Sequence, residues 1–194
     1  MNHYLLQQDV YIRGTLALGA VPPDMDPVEW IQGKKLPDIP TPVTLELSPA
    51  SGTFLTDIIL SFFPVFSSRL KDALAGAGVD NIDYYECRLR HPTSGLMKEV
   101  YWLANVLGRI RCVDLDKSTY IPRPSGRGGT LKQFVVDEKA THGLNFFRLY
   151  EQSTLIVISE PVKRHLEGLG LEGLYLPATE DYTGTVGGSR FNTR

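Results

Sequence analysis

Two segments of the chain carry apolar residues at the spacing of an α-helix. Ser67 opens the first and Ser159 the second, and a serine hydroxyl can accept a hydrogen bond from an unpaired amide of the first turn. Glycines that can adopt a positive φ follow each segment, so we expect both helices to be short. The apolar stripes are Leu70, Ala73, Leu74 and Ala77 in the first helix, and Val162, His165, Leu166 and Leu169 in the second.

Most other apolar positions alternate with polar ones, which is typical of β-strands. Residues 82–90 and 98–107 both alternate and are separated by a turn, so they predict an antiparallel hairpin. The second of these strands is apolar on both faces, which predicts a central strand with Trp102 in the core. Shorter strands are predicted at residues 4–6, 14–18, 43–47, 109–115, 130–136, 146–150, 155–158 and 174–176.

These elements predict an α+β fold with largely antiparallel sheets and two short capped helices. The two helical segments also align without gaps at an offset of 92 residues, with serine, lysine, leucine and two glycines matching. This match predicts a repeated strand-helix-strand unit. Independent use of the same capping chemistry is the alternative, because every helix needs ends.

Residues 19–42 differ from the rest of the chain because they contain six prolines. Prolines lack a backbone donor, so we expect an ordered excursion over the surface in which only residues 26–31 form a helical turn, with Asp26 as its cap. We expect residues 1–194 to form a single domain. Within it, the strands and proline-rich loop of residues 1–50 would pack on a core of residues 51–178, and residues 179–194 would form a flexible tail.

Composition is that of an ordinary globular domain, with 42% hydrophobic residues and a net charge of -2. The near balance of acidic and basic residues gives no reason to expect direct binding of nucleic acid. The first residues lack the basic and apolar regions of a secretory signal, and no apolar run could span a bilayer. We therefore expect a cytoplasmic protein without a membrane partner. Cys87 and Cys112 lie in apolar runs and are interpreted as buried free thiols.

The sequence contains no recognisable catalytic or metal-binding constellation. There is no nucleophile elbow, and the four histidines lack the spacing of zinc ligands. We therefore expect no enzyme activity, no cofactor and no metal. An enzyme of unrecognised type stays open as an alternative if Asp114, Asp116 and His142 meet in a cleft.

Several blocks of sequence resemble immunity protein family eleven of the bacterial polymorphic-toxin systems. The most specific is the closing block, which runs from Asn145 to Leu149, through residues 155–160, to residues 170–177. Residues 4–6 with Gly14, and residues 57–60 with 65–70, are similar to its earlier blocks. The resemblance implies a cytoplasmic protein that binds and neutralises a toxin. It further implies a toxin that is often an HNH-type nuclease delivered by contact-dependent secretion, including type VI.

The resemblance identifies no toxin contacts, so we take the two irregular loops as candidates, because loops vary readily on a rigid scaffold. The proline-rich loop offers acidic residues that could imitate phosphates at a basic nuclease cleft. A general interaction module without a toxin is a further alternative, and a homo-oligomer is compatible with the sequence. The candidate partner-binding residues are Asp24, Asp26, Glu29, Trp30 and Arg127. For Trp30, packing against its own domain is the competing interpretation.

Overall fold

A computed structural model describes residues 2–95, 97–122 and 129–184, with the backbone alone at 97–100. Within these residues the chain forms fifteen strands and two α-helices. The helices are α1 (Ser68–Gly76) and α2 (Glu160–Glu167). The strands are β1 (His3–Leu5), β2 (Gln7–Gln8), β3 (Val43–Glu46), β4 (Ile58–Leu60), β5 (Pro64–Ser67), β6 (Ile82–Arg90), β7 (Met97–Val106), β8 (Arg109–Ile110), β9 (Val113–Asp114), β10 (Thr119–Pro122), β11 (Gly129–Lys132), β12 (Val135–Val136), β13 (Phe146–Leu149), β14 (Ile156–Ser159) and β15 (Leu174–Tyr175).

Two larger sheets organise the described part of the chain. One has five strands in the order β3-β6-β7-β5-β4, and the other has four in the order β1-β14-β13-β8. Three two-stranded ladders join β10 with β11, β9 with β12, and β2 with β15. Every pairing is antiparallel except β3 with β6 and β8 with β13. The expectation of an α+β fold with largely antiparallel sheets is therefore confirmed.

The interior holds three apolar cores, and the β6–β7 hairpin lies between two of them. As predicted, β7 is a central strand between β6 and β5. On one face, Ala104 and Val106 pack with both helices; on the other, Tyr101 and Leu103 pack beneath the proline-rich loop. The prediction that Trp102 belongs to the core is wrong, because its indole is half-buried. Its Nε1 donates to Ser68 Oγ at 3.0 Å, and the Nζ of Lys71 lies 3.4 Å from the ring centroid.

Both helices begin where the serines predicted. Ser67 caps α1 by accepting a hydrogen bond from the backbone N–H of Leu70 at 3.1 Å. Ser159 occupies the same position before α2, yet its buried hydroxyl has no partner among the described residues. Pro161 lies in the first turn of α2, where a missing N–H costs no hydrogen bond.

The repeated strand-helix-strand unit is not confirmed. A strand does lead directly into each helix, from β5 into α1 and from β14 into α2. After α1 the chain enters the nine-residue β6 beside β7, whereas after α2 it forms the two-residue β15, which pairs with β2 in another sheet. The two segments are thus alike only as far as the ends of their helices, and the strands that follow the helices pair with different partners.

Three predicted strands differ from the structure. Residues 14–18 form only the isolated bridges of Thr15 with Phe54 and Leu18 with Leu47. Residues 109–115 divide into β8 and β9, and residues 130–136 into β11 and β12. The second break falls at Gln133, whose φ of 45° is incompatible with an extended strand. Both cysteines are buried free thiols, as expected, and burial raises the pKa of each to about 12.

The first residues after position 178, where the flexible tail was expected to begin, pack on the rest of the chain. Thr179–Asp181 form a 3-10 turn, and Thr179 is buried. Tyr182 is also buried and packs edge-on against Phe134, with ring centroids 6.0 Å apart. The stabilisation gained by burying an aromatic ring in an apolar site exceeds the preference of the polar residues around it for solvent. Residues 185–194 lie outside the described part of the chain.

The strands of the N-terminal part each pair with a strand from later in the chain. β1 pairs with β14, β2 with β15, and β3 with β6. This segment therefore supplies strands to three of the sheets. No helix of the described residues has the length and apolar character needed to cross a membrane.

The carboxylate of Asp57 connects three segments while its residue is only 4% exposed. Its Oδ1 accepts a hydrogen bond from Ser67 Oγ, the same hydroxyl that caps α1. Its Oδ2 accepts from Arg69 Nη1 at 3.2 Å and from the backbone N–H of Glu172 at 2.7 Å. The start of α1 and the loop before β15 are thereby held to the strand β4, which begins at the next residue.

We expect Asp57→Ala to lower the free energy of unfolding by about 3 kcal/mol, because the buried Ser67 hydroxyl, Arg69 and the Glu172 amide all lose their acceptor. Urea unfolding followed by circular dichroism measures the change. Asp72→Ala is the matched control: it removes an exposed carboxylate from α1, and should change stability by less than about 0.5 kcal/mol. Equal stability of the two variants would contradict the role assigned to Asp57.

Candidate protein-binding cleft

The proline-rich loop, residues 19–42, is ordered by local hydrogen bonds and by one large aromatic residue. Asp26 Oδ1 accepts from the backbone N–H of Val28 at 2.8 Å. The 3-10 turn spans only Glu29–Ile31 and its N-cap is Val28, so the prediction of Asp26 as the cap is wrong. The turn directs Trp30 inward, where its ring packs edge-on against Phe63 and Tyr85, with centroids 5.2 and 5.7 Å away. A segment without strand pairing thus gains a fixed position on the sheet.

After the 3-10 turn, the proline-rich loop is also attached to β7 and to the connection between β7 and β8. Gly33 has a φ of 69°, and a Cβ there would lie 2.7 Å from the backbone nitrogen of Arg109, so only glycine fits this close approach. The Gly108 N–H donates to the Gly33 carbonyl at 2.8 Å, and Asn105 Nδ2 donates to the Lys34 carbonyl at 2.9 Å. The residues that follow the 3-10 turn are therefore tied to β7 and to the connection after it.

The loop and the start of β3 enclose a cleft of about 420 Å³, which we call the acidic cleft. Its apolar surface comes from Trp30 and from aliphatic and proline side chains, and its polar surface comes mainly from carboxylates. No lysine or arginine is among the described residues that line it. The lining residues are Pro22, Asp24, Met25, Asp26, Glu29, Trp30, Leu36, Pro37, Asp38, Ile39, Pro40, Pro42, Val43 and Thr44.

Four of the five candidate residues named from the sequence line this single cleft. Asp24, Asp26 and Glu29 are exposed there, as charged groups available to a partner would be. Trp30 is only 2% exposed, which agrees with the interpretation that it packs against its own domain. Its indole therefore supports the cleft from the inside. Arg127, the fifth candidate, lies outside the described residues.

Asp38 is a further carboxylate of the cleft that the sequence did not single out. It lies in the second half of the loop, between prolines, and only the fold of the loop brings it to the same cleft as Asp24. Asp38 also acts on Tyr85. Burial raises the pKa of the Tyr85 phenol, and the negative charges of Asp83 and Asp38 raise that pKa further. In the sequence, the only indication of this residue was that acidic positions continue beyond Lys34 and Lys35.

The enzyme alternative requires Asp114, Asp116 and His142 to meet in a cleft, and the structure places each of them in its own surroundings. Asp114 forms an ion pair with Lys117 at 2.7 Å, and this contact lowers the pKa of the carboxyl group. Asp116 and His142 are exposed, and His142 ends a 3-10 turn, Glu138–Thr141, with a φ of 54°. None of these three residues lines any of the four described cavities. The described residues contain no group of side chains arranged to hold a metal ion.

A basic and aromatic group lies where the loop meets β8, and sequence reasoning missed it. The guanidinium carbons of Arg109 and Arg111 lie 4.9 and 4.2 Å from the ring centroid of Tyr150, which is 46% exposed. Arg109 Nη1 also donates to Gln32 Oε1 of the loop at 2.9 Å. Parallel pairing of β8 with β13 brings these distant residues together, so no local pattern could have revealed them.

The fold and the cleft define a mixed α+β protein whose anchored loop presents carboxylates over an apolar floor. The sequence matches the profile of the immunity protein family Imm11 over residues 3–181 of its 194 residues. The chain therefore belongs to the immunity protein family Imm11, and the resemblance described from the sequence is confirmed. No curated protein matches the chain. Membership of the family indicates a protein that binds and neutralises a cognate toxin.

We expect Trp30→Ala to lower the free energy of unfolding by about 4 kcal/mol, because it leaves a cavity between Phe63 and Tyr85. Chemical unfolding followed by circular dichroism measures this loss. Val28→Ala, in the same loop but 56% exposed, should cost less than about 0.5 kcal/mol. If Trp30→Ala leaves stability unchanged, the indole does not fix the loop.

Proposed function

We propose that this protein binds its cognate toxin in the cytoplasm of the producing cell and neutralises it by occlusion. The observation that carries the proposal is the acidic cleft, an anchored surface of uniform charge in a member of an immunity family. A loop whose position is fixed before binding loses little conformational entropy on binding, which favours high affinity. No chemical step on the immunity protein is needed for this mode of action.

We further propose that the toxin is a nuclease, of the HNH type that the family resemblance implied. A nuclease attracts the phosphates of nucleic acid with a basic surface. Asp24, Asp26, Glu29 and Asp38 present negative charge without nearby lysine or arginine in the lining, so they fit such a surface. Complementary charge accelerates association and selects the partner more than it adds to affinity. The chain would then compete directly with nucleic acid for the toxin.

The test is expression of the toxin encoded beside this gene, with and without this chain. We expect the toxin alone to stop growth, and co-expression to restore it. We also expect the two proteins to purify together in a one-to-one complex, which light scattering measures. Loss of toxicity without a complex would indicate an enzyme that reverses the toxin's effect, and a complex without rescue would indicate a general interaction module. Either result would contradict the proposal.

We expect the double variant Asp24→Lys with Glu29→Lys to slow association with the toxin by about tenfold at low salt, because steering is lost. Stopped-flow fluorescence measures the association rate, and the difference should shrink as salt screens the charges. Asp26 is left unchanged because its carboxylate accepts the Val28 N–H just before the 3-10 turn. The matched control is Asp116→Lys, an exposed carboxylate outside the cleft. If the association rate of the double variant is unchanged, the acidic cleft does not take part in the encounter with the toxin.

A further inference from the structure

The outer edge of β3 opens into the acidic cleft. β3 is the first strand of the five-stranded sheet, so only its β6 side is paired within that sheet. Backbone groups of a strand point alternately to its two sides. The Leu47 N–H bonds to the Arg90 carbonyl on the β6 side, whereas the Glu46 carbonyl accepts from Gly19 N–H on the outer side. Residues 44 and 46 therefore direct their backbone groups outward.

The two outward positions differ in what covers them. Residues 17–19 cover the end of β3, through the bonds from Gly19 N–H to the Glu46 carbonyl and from Ser48 N–H to the Ala17 carbonyl, both 2.8 Å. At Thr44, by contrast, no hydrogen bond connects the outward backbone to another segment of the described chain. Pro42, Val43 and Thr44 line the acidic cleft, so this open piece of edge forms one wall of it.

From this juxtaposition, we propose that the acidic cleft takes up a short, extended, basic segment of the toxin as an added strand on the edge of β3. The inference rests on the proposed function and names the kind of segment that the cleft binds. An exposed strand edge supplies backbone hydrogen bonds to any extended chain, and neighbouring pockets select its side chains. The segment is short because residues 17–19 already occupy the end of the edge.

The lining of the cleft specifies the side chains of that segment. In an extended chain, successive side chains point to opposite sides. Trp30, Met25 and Ile39 give the cleft apolar surface. The carboxylates of Asp24, Asp26, Glu29 and Asp38 complement lysine or arginine. The lining therefore fits a segment that carries both basic and apolar residues, as an alternating sequence does, and acidic segments would be repelled.

The probe is a blocked hexapeptide in which lysine and valine alternate, titrated at millimolar concentration into the full-length, nitrogen-15-labelled protein. We expect the amide resonance of Thr44 to shift and its hydrogen exchange to slow, because the amide gains an acceptor. A hexapeptide of alternating glutamate and valine should leave the resonance unchanged. No change at Thr44 with the lysine peptide, or equal changes with both peptides, would overturn the proposal.

Two variants separate the backbone contribution from the charge contribution. Thr44→Pro removes only an outward N–H, so pairing with β6 is retained, and it should weaken peptide binding by about tenfold. Thr44→Val retains the N–H and should bind as the wild type does. Asp38→Lys, which does not alter the strand, should weaken binding by about tenfold, whereas Asp116→Lys should not. Wild-type affinity in both Asp38→Lys and a folded Thr44→Pro would overturn the proposal.

The peptide measurements do not use the toxin, so the two ideas can fail separately. If growth is rescued but the peptide leaves Thr44 unchanged, the proposed function stands and the added strand is wrong. If Thr44 responds to the lysine peptide but the toxin neither binds nor is neutralised, the proposed function is wrong. The inference falls with it, because no toxin segment then occupies the cleft.

Discussion

Asp57 is buried and accepts hydrogen bonds from Ser67, Arg69 and the backbone of Glu172. A buried carboxylate is costly unless its oxygens are fully used, so this arrangement fixes all three donors together. Ser67 transmits the constraint, since its hydroxyl donates to Asp57 and accepts from the first turn of α1. The position of the helix, the strand β4 and the loop before β15 therefore depend on one side chain.

The same region connects to the cleft through the hairpin. Tyr101 donates from its hydroxyl to the carbonyl of Thr56 at 2.9 Å, which ties β7 to the residue before Asp57. Tyr101 and Leu103 face the core that contains Trp30. The floor of the acidic cleft thus rests on the strand that the buried carboxylate network helps to place. A loop supported in this way can present charges in a fixed arrangement, which favours specific recognition.

An immunity protein must match one toxin while keeping a stable fold, and the structure separates these two tasks. The buried faces of β5, β6, β7 and β14 hold the scaffold. The acidic residues occupy a loop whose exposed positions make few contacts with that scaffold, so their charge can change at small cost in stability. Three residues within the loop are exceptions: Trp30 packs on the sheet, Gly33 permits the close approach to Arg109, and Asp26 bonds the Val28 N–H.

The sequence by itself determined the elements whose signals are local. Alternation gave the β6–β7 hairpin, helical spacing gave α1 and α2, and the positions of Ser67 and Ser159 marked where the helices begin, because these patterns depend on neighbours a few positions apart. The acids of residues 24–29 were also visible in one short stretch. Membership of the family was recognisable from the closing block of residues 145–177 for the same reason.

Only the tertiary structure decided which distant segments meet. The parallel pairing of β3 with β6, the gathering of Asp38 with Asp24, and the donors around Asp57 each join residues that no periodicity relates. Trp30 and Tyr182 have polar sequence neighbours, yet both are buried, because an aromatic ring gains more from an available apolar site than its local sequence indicates. Burial is a property of the whole packed chain, so it could be read only from the fold.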